Sequence, residues 1–237
     1  MTGDLEARRE EAIGTMPEGW ALAIGPAASA ERLAPIADFV AHERDIGTVL
    51  PDGGRVFAAL RATPFASVRA VILGQDPYPT RTHAMGLSFS VPRDMPRPYP
   101  PSLQRVRAEL ESDGAWRVPD HGSLEAWTRN GVLLLNSILT VREGHPGSHR
   151  DAGWQGLTDA IIASLSDGEE PVAFLLWGQD AQAKASLITS DHHVVVRSPH
   201  PMARSTPAFL GSRPFSRANN GLKLLGAEPI DWNLTDE

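Results

Sequence analysis

The chain has 237 residues, 41% of them hydrophobic, enough to build the core of one α/β domain, and its formal net charge is −7. It has no cysteine, which excludes disulfides and thiolate metal sites and fits a reducing cytoplasm. No run approaches the ~20 apolar residues of a membrane span. The charged stretch Met1 to Glu11 lacks an apolar signal core, so a cytoplasmic protein without membrane attachment is expected.

The N-terminal third, to about Ala66, reads helical. Ser29 is placed to cap a helix through Ala41, and Gly53-Gly54 precede a second helix from Val56 to Arg61. Residues 1–15 are expected as a flexible tail on a single domain covering 1–237. Four strands follow, Val68 to Leu73, Val132 to Leu135, Val172 to Trp177 and Val194 to Ser198. Helical segments lie between them at Ser102 to Ser112, Leu124 to Asn130, Trp154 to Leu165 and Asp180 to Ile188, and Arg217 to Leu225 forms a last helix. This alternation predicts an α/β fold with a central four-stranded parallel sheet flanked by helices. The proline-dense stretch Pro92 to Pro101 reads as a rigid surface loop rather than a linker.

Chemistry-bearing residues collect just beyond the strands. Gly74-Gln75-Asp76-Pro77-Tyr78 follows the buried run Val71-Ile72-Leu73, so Asp76 emerges where open α/β sheets place their ligands. Pro77 keeps the residue before it extended, aiming Asp76 into a cleft. Asn136 ends the second strand; a buried amide there is either a loop bridge or a reader of a planar ligand edge. His200 follows the last strand between Pro199 and Pro201, which stiffen the loop that presents it. Phe89, in Gly86-Leu87-Ser88-Phe89-Ser90-Val91, is either core or a stacking platform. The Gly-Gln-Asp triplet recurs at Gly178-Gln179-Asp180, but here a helix-forming run follows, and Asp180 reads as a helix N-cap. Asp76, Asn136 and His200 each follow a different strand at the same sheet edge, so they can converge. From His192 to Leu225 there is no acidic residue, while Arg197, Arg204, Arg213, Arg217 and Lys223 are present. A basic face on an acidic body suits phosphate binding, though an ordinary solvated face would look the same.

In five ordered blocks the chain resembles the family 1 uracil-DNA glycosylases: GQDPY at Gly74 to Tyr78, GLSFSV at Gly86 to Val91, Pro100-Pro101-Ser102-Leu103, LLLNSILTVR at Leu133 to Arg142, and SPHP at Ser198 to Pro201. Weaker similarity runs through Ser148-His149-Arg150, Gly153-Trp154, Leu176-Trp177-Gly178, Arg213 to Ser216 and Pro229 to Trp232. The resemblance implies hydrolysis of the N-glycosidic bond of uracil in DNA, through an oxocarbenium-like sugar and a departing uracil anion. Asp76 would orient the attacking water and His200, as a neutral imidazole, would donate to uracil O2. Asn136 would pair with O4 and N3–H and Phe89 would stack on the flipped base. Tyr78 would fill the space a 5-methyl group needs, and Gln75 would complete the substrate contacts. Pro101, Ser102, Pro201, Arg204 and Ser205 would engage the DNA backbone. The resemblance further implies no metal or other cofactor, a monomer, uracil-containing DNA as partner, and recognition by a proteinaceous glycosylase inhibitor.

This chain departs from the family pattern at Pro79, where a histidine is usual, and at Met202 and Gln179, where serine phosphate contacts are lost. Arg204 stands where a leucine wedge is usual. Two other readings fit the residues: a binding-only relative that keeps the pocket, and an α/β phosphoesterase using Asp76 and His200 with a metal.

Overall fold

The computed structural model describes residues 2–203 and 208–235. Arg204 and Ser205, expected at the DNA, lie outside the described residues. The chain opens with helices α1 (Thr2–Ile13), α2 (Glu18–Ile24) and α3 (Ala30–Ile46), then strand β1 (Val49–Leu50) and helix α4 (Ala58–Ala62). Strand β2 (Ala70–Gly74) is followed by α5 (Pro101–Asp113), α6 (Glu125–Arg129), β3 (Val132–Asn136) and β4 (Val141–Arg142). The remainder alternates through α7 (Trp154–Ser166), β5 (Ala173–Trp177), α8 (Gln179–Ala183), β6 (Val194–Ser198) and α9 (Pro214–Leu224).

Strands β2, β3, β5 and β6 form the expected parallel sheet, in the order β3-β2-β5-β6. Every residue of β2, β3 and β5 is buried. Helices cover both faces, which is why these strands read as unbroken apolar runs instead of alternating ones. The edge strand β6 is less covered and exposes Arg197. Strand β2 pairs with β3 on one side and β5 on the other. Connections therefore leave it in opposite directions, and a crevice opens beyond the carboxyl ends of the strands. The register sets Gly74 opposite Asn136 and Trp177 opposite Ser198, so the loops after all four strands start at one level.

The structure corrects the sequence-based expectations in several places. Residues 2–13 are not a loose tail: Arg9 forks onto Asp38 of α3 with two 2.7 Å hydrogen bonds, and Ala12 and Ile13 are buried. Helix α3 starts after Ser29 as expected but runs to Ile46, and the Ser29 side chain makes no cap bond. Gly53–Arg55 form a 3-10 turn, so the next helix begins at Ala58. Strands β1 and β4 pair antiparallel, Val49 with Arg142 and Leu50 with Val141; two residues are too short to show a pattern. Gly178, not Asp180, holds the cap position of α8; Asp180 lies in its first turn, exposed, 3.9 Å from Arg150. The helix expected to reach Ile188 gives way to a 3-10 turn at Lys184–Leu187. The proline loop is fixed through Tyr99, whose buried ring lies under the Arg97 and Arg107 guanidinium groups at 5.5 and 5.4 Å. Among the described residues no helix is long and apolar enough to cross a membrane.

Candidate active site

The β2 exit is built on a glycine for a steric reason. A Cβ on Gly74 would lie 2.2 Å from Asn136 Oδ1 and 2.9 Å from Ser88 Cβ, so only glycine lets the Asn136 amide lie against the strand. The β3 exit then runs beside the β2 exit, Ser137 N–H donating to Gly74 O (3.0 Å) and Ile138 N–H to Gln75 O (2.9 Å). Asp76 is half-buried, and its Oδ2 accepts Gly147 N–H at 2.6 Å. Burial raises its carboxyl above the ordinary range, opposed by the Gly147 bond and the Arg150 charge.

Tyr78 is oriented by its hydroxyl, which lies 2.9 Å from Ser102 Oγ and 3.3 Å from Phe89 O. A carbonyl only accepts, so satisfying both contacts requires Tyr78 to donate to Phe89 O and accept from Ser102. Burial pushes the phenol well above its ordinary range, so it remains a donor. Phe89 is held between two buried serines. Ser88 N–H donates to Leu134 O (3.0 Å) and its Oγ to Ile72 O (3.2 Å), while Ser90 Oγ accepts Leu124 N–H (2.9 Å). Thus pinned, Phe89 takes φ 61°, rare for a side-chain-bearing residue. Its half-buried ring lies 5.2 Å from Trp177 and 6.2 Å from His200. The two sequence readings of Phe89 thus coincide: it touches the core and lines the pocket.

His200 sits directly against the β5 exit. A Cβ on Gly178, at φ +89°, would come within 2.8 Å of His200 Cβ. Its Nδ1 accepts Met202 N–H at 3.0 Å. A backbone N–H can only donate, so Nδ1 is unprotonated and Nε2 carries the proton of a neutral ring. Burial lowers the imidazole's pKa, with Asp180 pulling weakly the other way.

One cavity of about 160 Å³ is lined by Gln75, Asp76, Tyr78, Phe89, Ser102, Asn136 and His200, together with His83, Met85 and Met202. The sheet edge therefore brings together seven of the residues singled out from the sequence. Pro101 and Pro201 flank them without lining the cavity; Pro101 is exposed at the head of α5 and Pro201 is buried. Ser102 is buried and bonded to Tyr78, a role the sequence did not suggest. The Asn136 amide, buried at 6% exposure, has no hydrogen-bond partner among the described residues, so among them it bridges no loop. A groove of about 760 Å³ continues from Gln75 and Ser137 past Arg150 to Gly178, Asp180 and His200. Sequence reasoning missed Gly147, which carries no side chain and belongs to no strong motif. Among the described residues no group of three or more His, Asp or Glu could hold a metal ion.

The model of the Uracil DNA glycosylase superfamily matches residues 61–223. A uracil-DNA glycosylase of Enterococcus faecalis is 48% identical over 202 residues, covering 85% of this chain and 88% of the relative. One from Deinococcus deserti is 45% identical over 223 residues, covering 92% and 88%. The crystal structure of a mimivirus UNG with one tyrosine-to-leucine substitution, in complex with UGI, superposes with a TM-score of 0.85 at 24% identity, covering 98% of this chain and 93% of the other. With relatives this similar across 85% or more of its length, and with the converging strand-end residues described above, the chain belongs to the uracil DNA glycosylase superfamily.

Proposed function

We propose that this chain hydrolyses the N-glycosidic bond of uracil in DNA, releasing uracil and leaving an abasic site, the first step of base excision repair. It is a uracil-DNA glycosylase, a hydrolase. The observation that carries the reading is the buried Asn136 amide, left without a hydrogen-bond partner among the described residues in a cavity shared with the Asp76 carboxylate and a neutral His200. A buried amide needs partners for both its carbonyl and its NH₂. Uracil offers an acceptor at O4 and a donor at N3, whereas cytosine presents a donor at position 4 and an acceptor at N3. A site of this kind rejects the mismatched base by roughly 10⁴-fold.

In the reaction the C1′–N1 bond breaks, the electron pair leaves with uracil, and a positive charge develops on the sugar. Asp76 stabilises that charge and orients the water whose oxygen bonds C1′ and whose proton is lost to it. The Nε2–H of His200 donates to uracil O2 as the anion forms, which needs a donor but no charge. Phe89 stacks on the base and Gln75 contacts it from the β2 exit. Tyr78, its ring fixed by the bonds to Ser102 and Phe89 O, occupies the room a thymine methyl needs. For DNA, Ser102 lies in the first turn of α5, where a backbone N–H has no intrahelical acceptor, and it offers that N–H to a phosphate. Pro201 stiffens the opposite wall, and Arg204 and Ser205 complete the DNA contact. The intact GQDPY turn supports placement in family 1. A monomer in the cytoplasm, held by a UGI-type inhibitor protein, completes the reading.

The deciding experiment is abasic-site formation on an oligonucleotide carrying one uracil, compared with the same strand carrying thymine or cytosine. Cleavage confined to uracil and lost in Asp76→Asn supports the proposal; no cleavage by the wild-type chain refutes it.

A further inference from the structure

The loop that holds Asp76 is itself fastened to a residue far from the pocket. Glu43, on α3, is buried, with its side chain 8% exposed. Arg142 forks onto it, Nε to Oε2 at 3.0 Å and Nη2 to Oε1 and Oε2 at 2.8 and 2.6 Å. On the same carboxylate, Oε2 lies 3.3 Å from His149 Nε2. The far side of that ring meets Thr140 Oγ1 at 2.8 Å, and Trp154 Nε1 donates to the same oxygen at 2.7 Å. With Trp154 donating, the Thr140 proton is free for His149 Nδ1, which leaves the imidazole proton on Nε2, facing Glu43. Burial favours that neutral ring. Burial also works against the Glu43 charge, yet Arg142 and His149 outweigh it and hold the carboxyl below its ordinary range.

Arg142 and His149 bracket residues 143–148, and this loop grips the turn after β2 at two points. Gly147 N–H donates to Asp76 Oδ2 at 2.6 Å, and Gly144 N–H donates to Pro79 O at 2.8 Å. The loop is further closed by Arg142 N–H to Ser148 Oγ at 2.8 Å. We propose that Glu43 is a positioning residue for Asp76: by fixing Arg142 and His149 it sets both ends of the 143–148 loop, and the loop sets the carboxylate. This rests on the reading of Asp76 as the water-orienting group. Glu43 is buried but the Arg142 side chain is 43% exposed, and an ion pair this open to solvent adds little net stability. Here the pair specifies where one amide proton points.

The test reads the Gly147 amide directly, by ¹H–¹⁵N NMR of the labelled protein. A short bond to a carboxylate moves that proton downfield, and its shift follows the Asp76 titration. In Glu43→Gln the Gly147 proton is expected to move upfield. The acid limb of the kcat/KM profile is expected to move to higher pH as the carboxylate loses its N–H. With the group displaced by about 1 Å, kcat falls on the order of 10²-fold with little change in KM. Arg142→Lys, which keeps the charge but loses the fork, gives the same changes in smaller measure and carries the test if Glu43→Gln does not fold. Leu222→Ala, buried on α9, supplies general destabilisation and leaves the Gly147 signal and kcat unchanged. A Gly147 signal and acid limb unmoved in folded Glu43→Gln or Arg142→Lys overturn the proposal. Absence of uracil release by the wild-type chain would instead sink the functional reading, and the Gly147 shift would still decide the positioning.

Discussion

Gly74→Ala adds one methyl group at the most crowded point of the site. Gly74 does not occupy the left-handed region, so its backbone accepts alanine and the effect is steric alone. The new carbon would lie 2.2 Å from Asn136 Oδ1 and 2.9 Å from Ser88 Cβ. Ser88 is buried and bonded to β2 and β3, so the amide is what yields. It must retreat by about 1 Å, and a misplacement of that size lowers an enzymatic rate on the order of 10²-fold. The overpacking costs about 1–3 kcal/mol, which a domain stable by about 5–15 kcal/mol survives. Single-turnover cleavage of a uracil oligonucleotide measures the first effect and thermal melting the second. Combining the change with Asn136→Ala should remove most of the added loss, because the methyl then displaces little. A Gly74→Ala rate within threefold of wild type would show that Gly74 does not fix the Asn136 amide.

Asp76→Asn is expected to lower single-turnover cleavage by about 10²–10⁴-fold with DNA binding retained; a rate within tenfold of wild type contradicts the assigned role. The same variant should melt higher at pH 7. A carboxyl whose folded pKa is raised, here by burial, costs stability above that value and nothing below the unfolded value near ~3.9, so the advantage fades towards ~pH 4. A lower Tm at pH 7 would show that the charge is welcome in the fold. Because burial lowers the His200 pKa, kcat/KM should pass through ~pH 6.5 without an inflection; a break there that disappears in His200→Gln would mean the ring titrates normally. Asn136→Asp should release cytosine and Tyr78→Ala thymine from single-stranded oligonucleotides, and failure of both would remove the base-reading roles.

The four sheet strands were legible because each is a short, largely apolar run ended by glycine, asparagine or a proline loop. The convergence of Asp76, Asn136 and His200 followed from the parallel sheet alone. The docking of helix α1 was not legible: Thr2–Ile13 is polar nearly all round, and its attachment depends on Arg9 meeting Asp38 across the chain. The Glu43, Arg142 and His149 cluster was invisible for the same reason, since nothing local ties residue 43 to residue 142. Asp180 misled because its sequence context favours a cap, while the left-handed Gly178 beside His200 already holds that position. Ser102 was expected only as a phosphate ligand, and the structure sets its hydroxyl against Tyr78, a contact between residues 24 apart in the chain.

The backbone of Phe89, at φ 61°, has a consequence for anyone who engineers this chain. A side-chain-bearing residue held there gives up about 1–3 kcal/mol, and glycine would recover it only by losing the ring's contacts with Trp177 and the core. The half-buried Asp76 carboxylate is a second such deficit. A library screened for heat resistance alone would therefore be drawn to position 76 and would enrich hardy, inert proteins. Stabilising campaigns should hold both fixed and look for their gains on exposed apolar surface such as Leu22 and Leu224, where no chemistry is at stake.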